Sequence, residues 1–130
     1  PIINLVNVRP ESGLGGITVH ISGKPITLTG FDAAIGSECI LGLRPESLQF
    51  VEQNTIGAFP VKIETETPLN EKIVTLATTL SGEEIMISRP ANMYGAVSGR
   101  AWLSITPSNA LLFDKITGNL LKRNLMGVAA

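Results

Sequence analysis

The sequence has few of the residues from which catalytic and metal centres are usually built. Its 130 residues include one cysteine, Cys39, and one histidine, His20. A single cysteine cannot form a disulfide within the chain, and a zinc site needs three or four protein ligands. A Ser-His-Asp or Cys-His centre would have to use His20, which falls on the polar face of a predicted strand. We therefore expect a buried, unreactive Cys39, an exposed His20, no catalytic residue and no metal site.

Aromatic side chains and excess positive charge are also scarce. Aromatic residues make up 5% of the chain, and 10 Lys and Arg against 11 Asp and Glu leave a net charge of -1. Nucleic-acid-binding domains are typically basic, and those that bind single strands also need aromatic side chains on which bases stack. We therefore expect no nucleic-acid partner. No run of 18 apolar residues is present, so the sequence predicts no membrane-spanning helix.

The glycine-rich segments do not form a phosphate-binding loop. That loop requires the pattern G-x-x-x-x-G-K-[ST] before a helix. Around Gly23-Lys24 the chain has Thr18 in place of the first glycine and Pro25 in place of Ser or Thr. Both this segment and Gly13–Gly16 are interpreted as hairpin turns. We expect the chain neither to bind nor to hydrolyse ATP.

Apolar and polar residues alternate along most of the chain, with the period of two that is typical of strands with one buried face. The alternation is clearest at 17–21, 26–29, 61–66 and 101–105. Turn residues separate these runs at Ser22–Lys24, Pro68–Asn70, Ser81–Gly82 and Asp114–Gly118. The pattern predicts an all-β barrel or sandwich. The same alternation predicts that Glu64 and Glu66 share a solvated strand face.

Two segments repeat one pattern, in which an apolar strand leads into a proline-started turn and a second short strand. They are LGLRPESLQF at 41–50 and LSITPSNALLF at 103–113. Proline fixes φ and has no N–H, so it ends ladder pairing and starts a turn. The repeat predicts two similar β-modules that pack together. Within the first, we expect Arg44 and Glu46 to form an ion pair that fixes the corner at Pro45, in preference to a ligand site.

Three motifs resemble those of a known family. Pro1-Ile2-Ile3-Asn4-Leu5 is similar to P-x-[MI]-N-[FL], Leu41–Glu46 to L-G-[IV]-R-P-E, and Leu112–Gly118 to L-F-D-x-x-[TS]-G. Together they resemble the C-terminal regulatory domain of the ATP-binding subunits of carbohydrate importers of the ATP-binding-cassette class, the MalK-like subunits. The matching motif residues are Gly42, Arg44, Pro45, Glu46, Leu112, Phe113, Asp114 and Gly118.

The resemblance implies an OB-like β-barrel of the transport-associated TOBE or MOP type, with additional N-terminal strands. It implies a regulatory domain over residues 1–122, with N-terminal strands in 1–36 and the main barrel in 37–122, and a flexible tail at 123–130. Since the sequence has no initiator methionine, we expect a fragment without the nucleotide-binding domain. This fragment would hold no cofactor, because ATP and Mg²⁺ would bind in the missing domain of the parent protein.

The function that the resemblance implies is regulation and dimerisation of the ATP-binding subunit of a bacterial sugar-type importer. Its partners would be a second copy of that subunit, the membrane permease subunits and regulatory proteins. It would lie in the cytoplasm, at the inner face of the inner membrane. A two-fold contact fits uncharged strand faces, so we predict Thr27, Thr29 and Trp102 as interface residues. Trp102 should lie at an edge or interface and not at the barrel centre.

A second function is a small-ligand module that binds an oxyanion. OB-like domains related to this family bind oxyanions in molybdate systems, and glycine-rich hairpins can form anion-binding nests. Arg44, Lys24 and Arg100 are the candidate donors.

Overall fold

The computed structural model describes residues 3–31, 36–91 and 99–121 of the chain. Eleven strands follow one another, β1 (Asn4–Val8), β2 (Glu11–Gly13), β3 (Gly16–Ile21), β4 (Lys24–Thr29), β5 (Cys39–Leu43), β6 (Leu48–Val51), β7 (Phe59–Leu69), β8 (Lys72–Thr79), β9 (Glu84–Pro90), β10 (Arg100–Ile105) and β11 (Leu111–Asp114). Short 3₁₀ turns lie at Pro45–Ser47 and Pro107–Asn109. The predicted all-β fold is confirmed. Pro1, Ile2 and the predicted tail 123–130 lie outside the described residues.

The strands form three antiparallel sheets with the orders β1-β5-β11, β2-β3-β4 and β6-β10-β7-β8-β9. Buried side chains from all three sheets meet in one hydrophobic core, which includes Ile17, Leu28, Leu41, Phe59 and Leu103. Burial of each such side chain contributes about 1.5–3 kcal/mol, which fixes the face that each strand turns inward. In the described part of the chain no helix has the length and apolar character needed to cross a bilayer.

The repeated segments are two matching crossovers between sheets. From β5 in the three-stranded β1-β5-β11 sheet, the turn Pro45–Ser47 leads to β6 in the five-stranded sheet. From β10 in the five-stranded sheet, the turn Pro107–Asn109 leads back to β11. The strands of the two segments pair with one another, β5 with β11 and β6 with β10. The predicted pair of similar modules is confirmed, because each proline begins a turn that changes sheets.

The β3–β4 hairpin is tied to the five-stranded sheet through its turn. Ser22 and Gly23 both have positive φ, 53° and 77°, as the two-residue turns that match strand twist require. The Ser22 hydroxyl donates a hydrogen bond to the Pro60 carbonyl (2.8 Å) and accepts one from the Leu80 N–H (2.9 Å). The turn residue therefore links three elements that are distant in sequence. The domain division predicted at residue 36 stays a prediction, although β1 and β5 pair across it.

The turn predicted at Pro68–Asn70 is present but is displaced toward the C-terminus. Strand β7 continues through Pro68 to Leu69, and the turn consists of Asn70 and Glu71. Within the described residues β10 pairs with β7 over Phe59–Lys62, and no described strand lies beside Pro68 on that edge. A proline is tolerated at an edge because no neighbour needs its missing N–H. Beyond Lys62 the outer half of β7 pairs with β8, and β9 continues the sheet on the other side of β8.

The prediction that Glu64 and Glu66 share a solvated face is also wrong. A β-bulge shifts the register of β7 between Ile63 and Thr65. Glu64 accepts a hydrogen bond from Thr78 (2.9 Å) and Glu66 from Thr75 (2.8 Å). Thr75 and Thr78 are three positions apart on β8, so their side chains point to opposite faces of the sheet. The two carboxylates that they contact therefore lie on opposite sides of the sheet.

Candidate functional site

The motif residues Arg44, Pro45 and Glu46 form one wall of a cleft of about 600 Å³. This wall is the corner at which β5 leads into β6. The rest of the lining comes from the outward faces of β7, β8 and β9, namely Thr67, Leu69, Lys72, Val74, Met86 and Ser88. We call this site the Arg44 cleft.

The lining of the Arg44 cleft combines positive charge, hydroxyl groups and apolar surface. Arg44 and Lys72 supply two cations against the single carboxylate of Glu46, and Thr67 and Ser88 supply hydroxyls. The described residues that line it include no histidine or cysteine. The guanidinium, ammonium and hydroxyl groups of this lining are donors suited to holding an anion.

The predicted ion pair between Arg44 and Glu46 is wrong. Within the described ranges the ion pairs join Arg9 to Glu38, Glu66 to Arg89, and Lys115 to Glu38. The corner is instead held by its backbone, because the Ser47 N–H donates to the Arg44 carbonyl (2.9 Å) and the Thr106 N–H donates to the Ser47 carbonyl (3.1 Å). Pro45 and Ser47 are buried, whereas the two charged residues are exposed. Their charged groups can therefore meet a ligand.

Asn4 fixes the strand that forms one side of the cleft. Strand β9 is the edge of the five-stranded sheet. The Asn4 side chain, only 6% exposed, donates from Nδ2 to the Met86 carbonyl (2.8 Å) and accepts at Oδ1 from the Met86 N–H (2.8 Å). One amide side chain thus satisfies both backbone groups that a further strand would pair. The asparagine of the first family-like motif acts as an edge cap.

An ion pair holds the same three strands from the core side. Arg89 Nη2 lies 2.9 Å from Glu66 Oε2, and the two side chains are 12% and 19% exposed. Glu66 Oε2 also accepts a hydrogen bond from Thr75 (2.8 Å). The Arg89 guanidinium lies 5.5 Å from the centre of the Phe50 ring, within the range of a cation–π contact. These contacts join β7, β8 and β9 to β6 beneath the Arg44 cleft.

The structure does not bring the three predicted anion donors together. Lys24 lies over the Trp102 ring, with Nζ 5.8 Å from its centre, and lines a separate cleft of about 280 Å³. Arg100 lies at the start of β10, where it pairs in register with Lys62. The cation that accompanies Arg44 is Lys72, which the prediction omits. Lys72 follows the β7–β8 turn, and the error in placing that turn hid its position.

The predicted interface residues lie on outward strand faces. Trp102 is half-buried, on the face opposite the fully buried Leu103, and so lies away from the barrel centre as expected. Thr27 and Thr29 are exposed on β4, and Thr27 pairs across the sheet with Thr18. Their role as an interface stays a prediction.

The remaining motif residues have structural positions. A Cβ at Gly42 would lie 2.9 Å from Ile3 Cδ1 and 3.1 Å from Phe113 Cε2, so glycine makes room for these side chains. Leu112 is fully buried, and the turn after β11 is closed by the Gly118 N–H donating to the Asp114 carbonyl (2.8 Å). Gly118 has φ of 76°, which confirms the predicted left-handed glycine.

Two titratable groups near this turn have shifted pKa values. Hydrogen bonds from the backbone N–H groups of Thr117 and Ile116 lower the pKa of the Asp114 carboxyl. Burial, and then the negative charge of Asp114, raise the pKa of the Cys39 thiol. Cys39 is completely buried, as predicted, and His20 is exposed. Among the described residues no three His, Cys, Asp or Glu side chains converge as metal ligands would.

No protein-family model and no curated protein matches the chain. Among solved structures the chain is similar to ModG, a cytoplasmic molybdate-binding protein, in a crystal form with molybdate bound. The two have a TM-score of 0.60 and 14% sequence identity, over 85% of this chain and 94% of that chain. Likeness at this identity shows the fold, which is OB-like and of the TOBE or MOP type, as predicted. The narrower resemblance to carbohydrate importers gains no support from it.

Proposed function

We propose that this chain is a non-catalytic binding module of the TOBE or MOP type, and that its Arg44 cleft holds a small oxyanion group. The observation that carries the proposal is the convergence of Arg44 and Lys72 with the hydroxyls of Thr67 and Ser88 on one cleft. The fold similarity to a molybdate-binding protein supports this function over regulation and dimerisation of an importer ATPase. The proposal places the module in the cytoplasm, where ModG is found.

The chemistry of the lining suits this role. An arginine guanidinium presents paired N–H donors that match two oxygens of a carboxylate or phosphate, and a lysine ammonium adds a point charge. Arg44 is not held by Glu46 or by another ion pair in the described part of the chain. A ligand therefore does not have to displace a protein partner before it reaches the guanidinium.

Replacement of Arg44 tests this proposal. In calorimetric titrations of the 130-residue chain with phosphate, sulfate and molybdate, Arg44→Gln should weaken binding roughly ten- to a hundredfold. A hydrogen bond to a charged group contributes about 1.5–3 kcal/mol, which corresponds to that factor. Lys62→Gln is the matched control, since Lys62 is exposed on β7 and lies outside the cleft. Equal weakening by the two variants, or no heat with any of the three anions, would refute the proposal.

A second candidate function is the regulatory and dimerisation domain of the ATP-binding subunit of a sugar-type importer. The Leu41–Glu46 motif is the observation that favours this function. Its two charged residues, Arg44 and Glu46, are exposed at a corner held by backbone hydrogen bonds, so both are available to a partner protein. In this role ATP and Mg²⁺ bind to a preceding domain of the parent protein. Permease subunits, a second ATPase subunit and regulatory proteins are the partners, at the inner face of the membrane.

Self-association is the property that tests this second function. Sedimentation equilibrium should detect weak dimers, at micromolar or poorer affinity, with a free energy of about -8 kcal/mol or less favourable. Thr27→Glu combined with Thr29→Glu should weaken association at least about tenfold, because like charges would meet across a two-fold contact. Ser81→Glu, which adds the same charge on the β8–β9 turn and not on β4, should leave association unchanged. A strict monomer at several hundred micromolar contradicts the dimer.

A further inference from the structure

The Arg44 cleft has charged walls but an apolar floor. Leu69, Val74 and Met86 line it from three successive strands, and Pro45 adds the ring of the corner. Leu69 is 47% exposed, and Val74 and Met86 are half-buried, so this apolar surface is open to solvent in the free chain. A bare oxyanion would leave this apolar surface in contact with water.

We infer that the Arg44 cleft takes an organic anion, a phosphate monoester or carboxylate with a short aliphatic body, in preference to a bare oxyanion. The inference rests on the proposed function, since it assumes that the cleft binds an anion, and it adds the class of ligand.

Strand register places the apolar and polar groups in order. Val74 pairs with Thr67 on one side and with Ser88 on the other, so one apolar residue lies between two hydroxyls. Leu69 pairs with Lys72 at the hairpin end. Met86 pairs with Leu76, further from the hairpin end than Val74, and is bonded to Asn4 beside the Arg44 corner. An anionic group held by Arg44 therefore leaves the aliphatic body to cover Met86 and Val74 in the direction of Lys72.

The size of the cleft agrees with a ligand larger than a tetrahedral ion. Its volume of about 600 Å³ falls in the range of roughly 300–1,000 Å³ that is usual for sites of organic ligands. Each methylene group that is fully buried strengthens binding by up to about fourfold. Three further methylenes in a partly open cleft should therefore give about a tenfold gain.

A pair of phosphate esters with the same anionic group tests the inference. Titration of the isotopically labelled 130-residue chain, followed by NMR, should give a Kd for butyl phosphate about tenfold lower than for methyl phosphate. Val74→Thr keeps the shape of the side chain but adds a hydroxyl, and should reduce this ratio to below about threefold with little change for methyl phosphate. Leu80→Asn alters an exposed leucine outside the cleft and should leave the ratio unchanged.

The possible results separate the inference from the proposed function. Equal Kd values for the two esters would overturn the inference and leave anion binding intact. A ratio reduced equally by Leu80→Asn and Val74→Thr would also overturn it, because the apolar contact would not be in the cleft. No binding of any anion would overturn both. If circular dichroism shows that Val74→Thr is unfolded, Met86→Gln replaces it with the same expected result.

Discussion

Arg89→Met should lower the free energy of unfolding by about 3 kcal/mol, because it leaves the carboxylate of Glu66 largely buried without its cationic partner. Both side chains are less than one-fifth exposed, so water can replace the lost partner only in part. The remaining hydrogen bond from Thr75 to Glu66 offsets a fraction of the loss. Urea denaturation measures the change.

A double variant distinguishes a lost partner from lost packing. Glu66→Leu combined with Arg89→Met removes both charges and should recover most of the stability, since replacing a buried ion pair with apolar side chains is often close to neutral. Lys115→Met is the control, because it breaks an exposed ion pair with Glu38 and should cost less than about 1 kcal/mol. If Arg89→Met lowered the free energy of unfolding by less than about 1 kcal/mol, the ion pair would not be what holds β7, β8 and β9 together.

Asn4→Ala should lower the free energy of unfolding by about 2–3 kcal/mol, because two hydrogen bonds are lost and the N–H and C=O of Met86 lose their partners. The amide hydrogen of Met86 should also exchange with solvent faster than in the unaltered chain. Hydrogen exchange measured by NMR would then show that the edge strand β9 opens in Asn4→Ala.

Two further variants sharpen this result. Asn4→Asp retains an acceptor for the Met86 N–H but places a second acceptor against its carbonyl, so it should be at least as unstable as Asn4→Ala. Asn7→Ala is the matched control, since Asn7 uses its backbone N–H to donate to Glu83 (2.9 Å) and its side chain is not needed there. If the amide hydrogen of Met86 were equally protected from exchange in all variants, Asn4 would not be the edge cap.

Much of the fold follows from local sequence signals. The strand alternation and the turns at Ser22–Gly23 and Ser81–Gly82 correctly predict two hairpins, and Asp114–Gly118 is the predicted turn that ends in a left-handed glycine. The repeated proline turns predict two similar modules, which the structure confirms as two crossovers. These signals are local because φ restrictions and the face alternation of strands act over a few residues.

The errors arise where non-local pairing decides the local structure. Pro68 looks like a turn residue, yet it lies in a strand that pairs with β8 there, and the described part of β10 pairs with β7 only as far as Lys62. The bulge after Ile63 depends on the register against β8 and reverses the faces of the following residues. No pattern within β7 marks either event. The buried pairing of Glu66 with Arg89 was hidden by the same bulge.

The candidate site could be predicted in part. The charged corner at Arg44 and Glu46 stands out in the sequence, but the sequence suggests an ion pair there, whereas both side chains are exposed and do not pair with each other. Lys72 and Ser88 lie on two other strands, and only the order of the strands in the sheets places them in the same cleft as Arg44. Likewise, Asn4 belongs to a family-like motif, but its contact with Met86 spans 82 positions in the chain.

Crystals of the 130-residue chain grown with molybdate show directly whether the Arg44 cleft is the anion site, because molybdenum can be located by its anomalous X-ray scattering. We expect a molybdenum peak in the Arg44 cleft, within hydrogen-bonding distance of the Arg44 guanidinium and the Lys72 ammonium, and its loss in crystals of Arg44→Gln. A peak beside Lys24 and Trp102, or molybdenum bound only where molecules touch in the crystal, would contradict the assignment of the Arg44 cleft as the anion site.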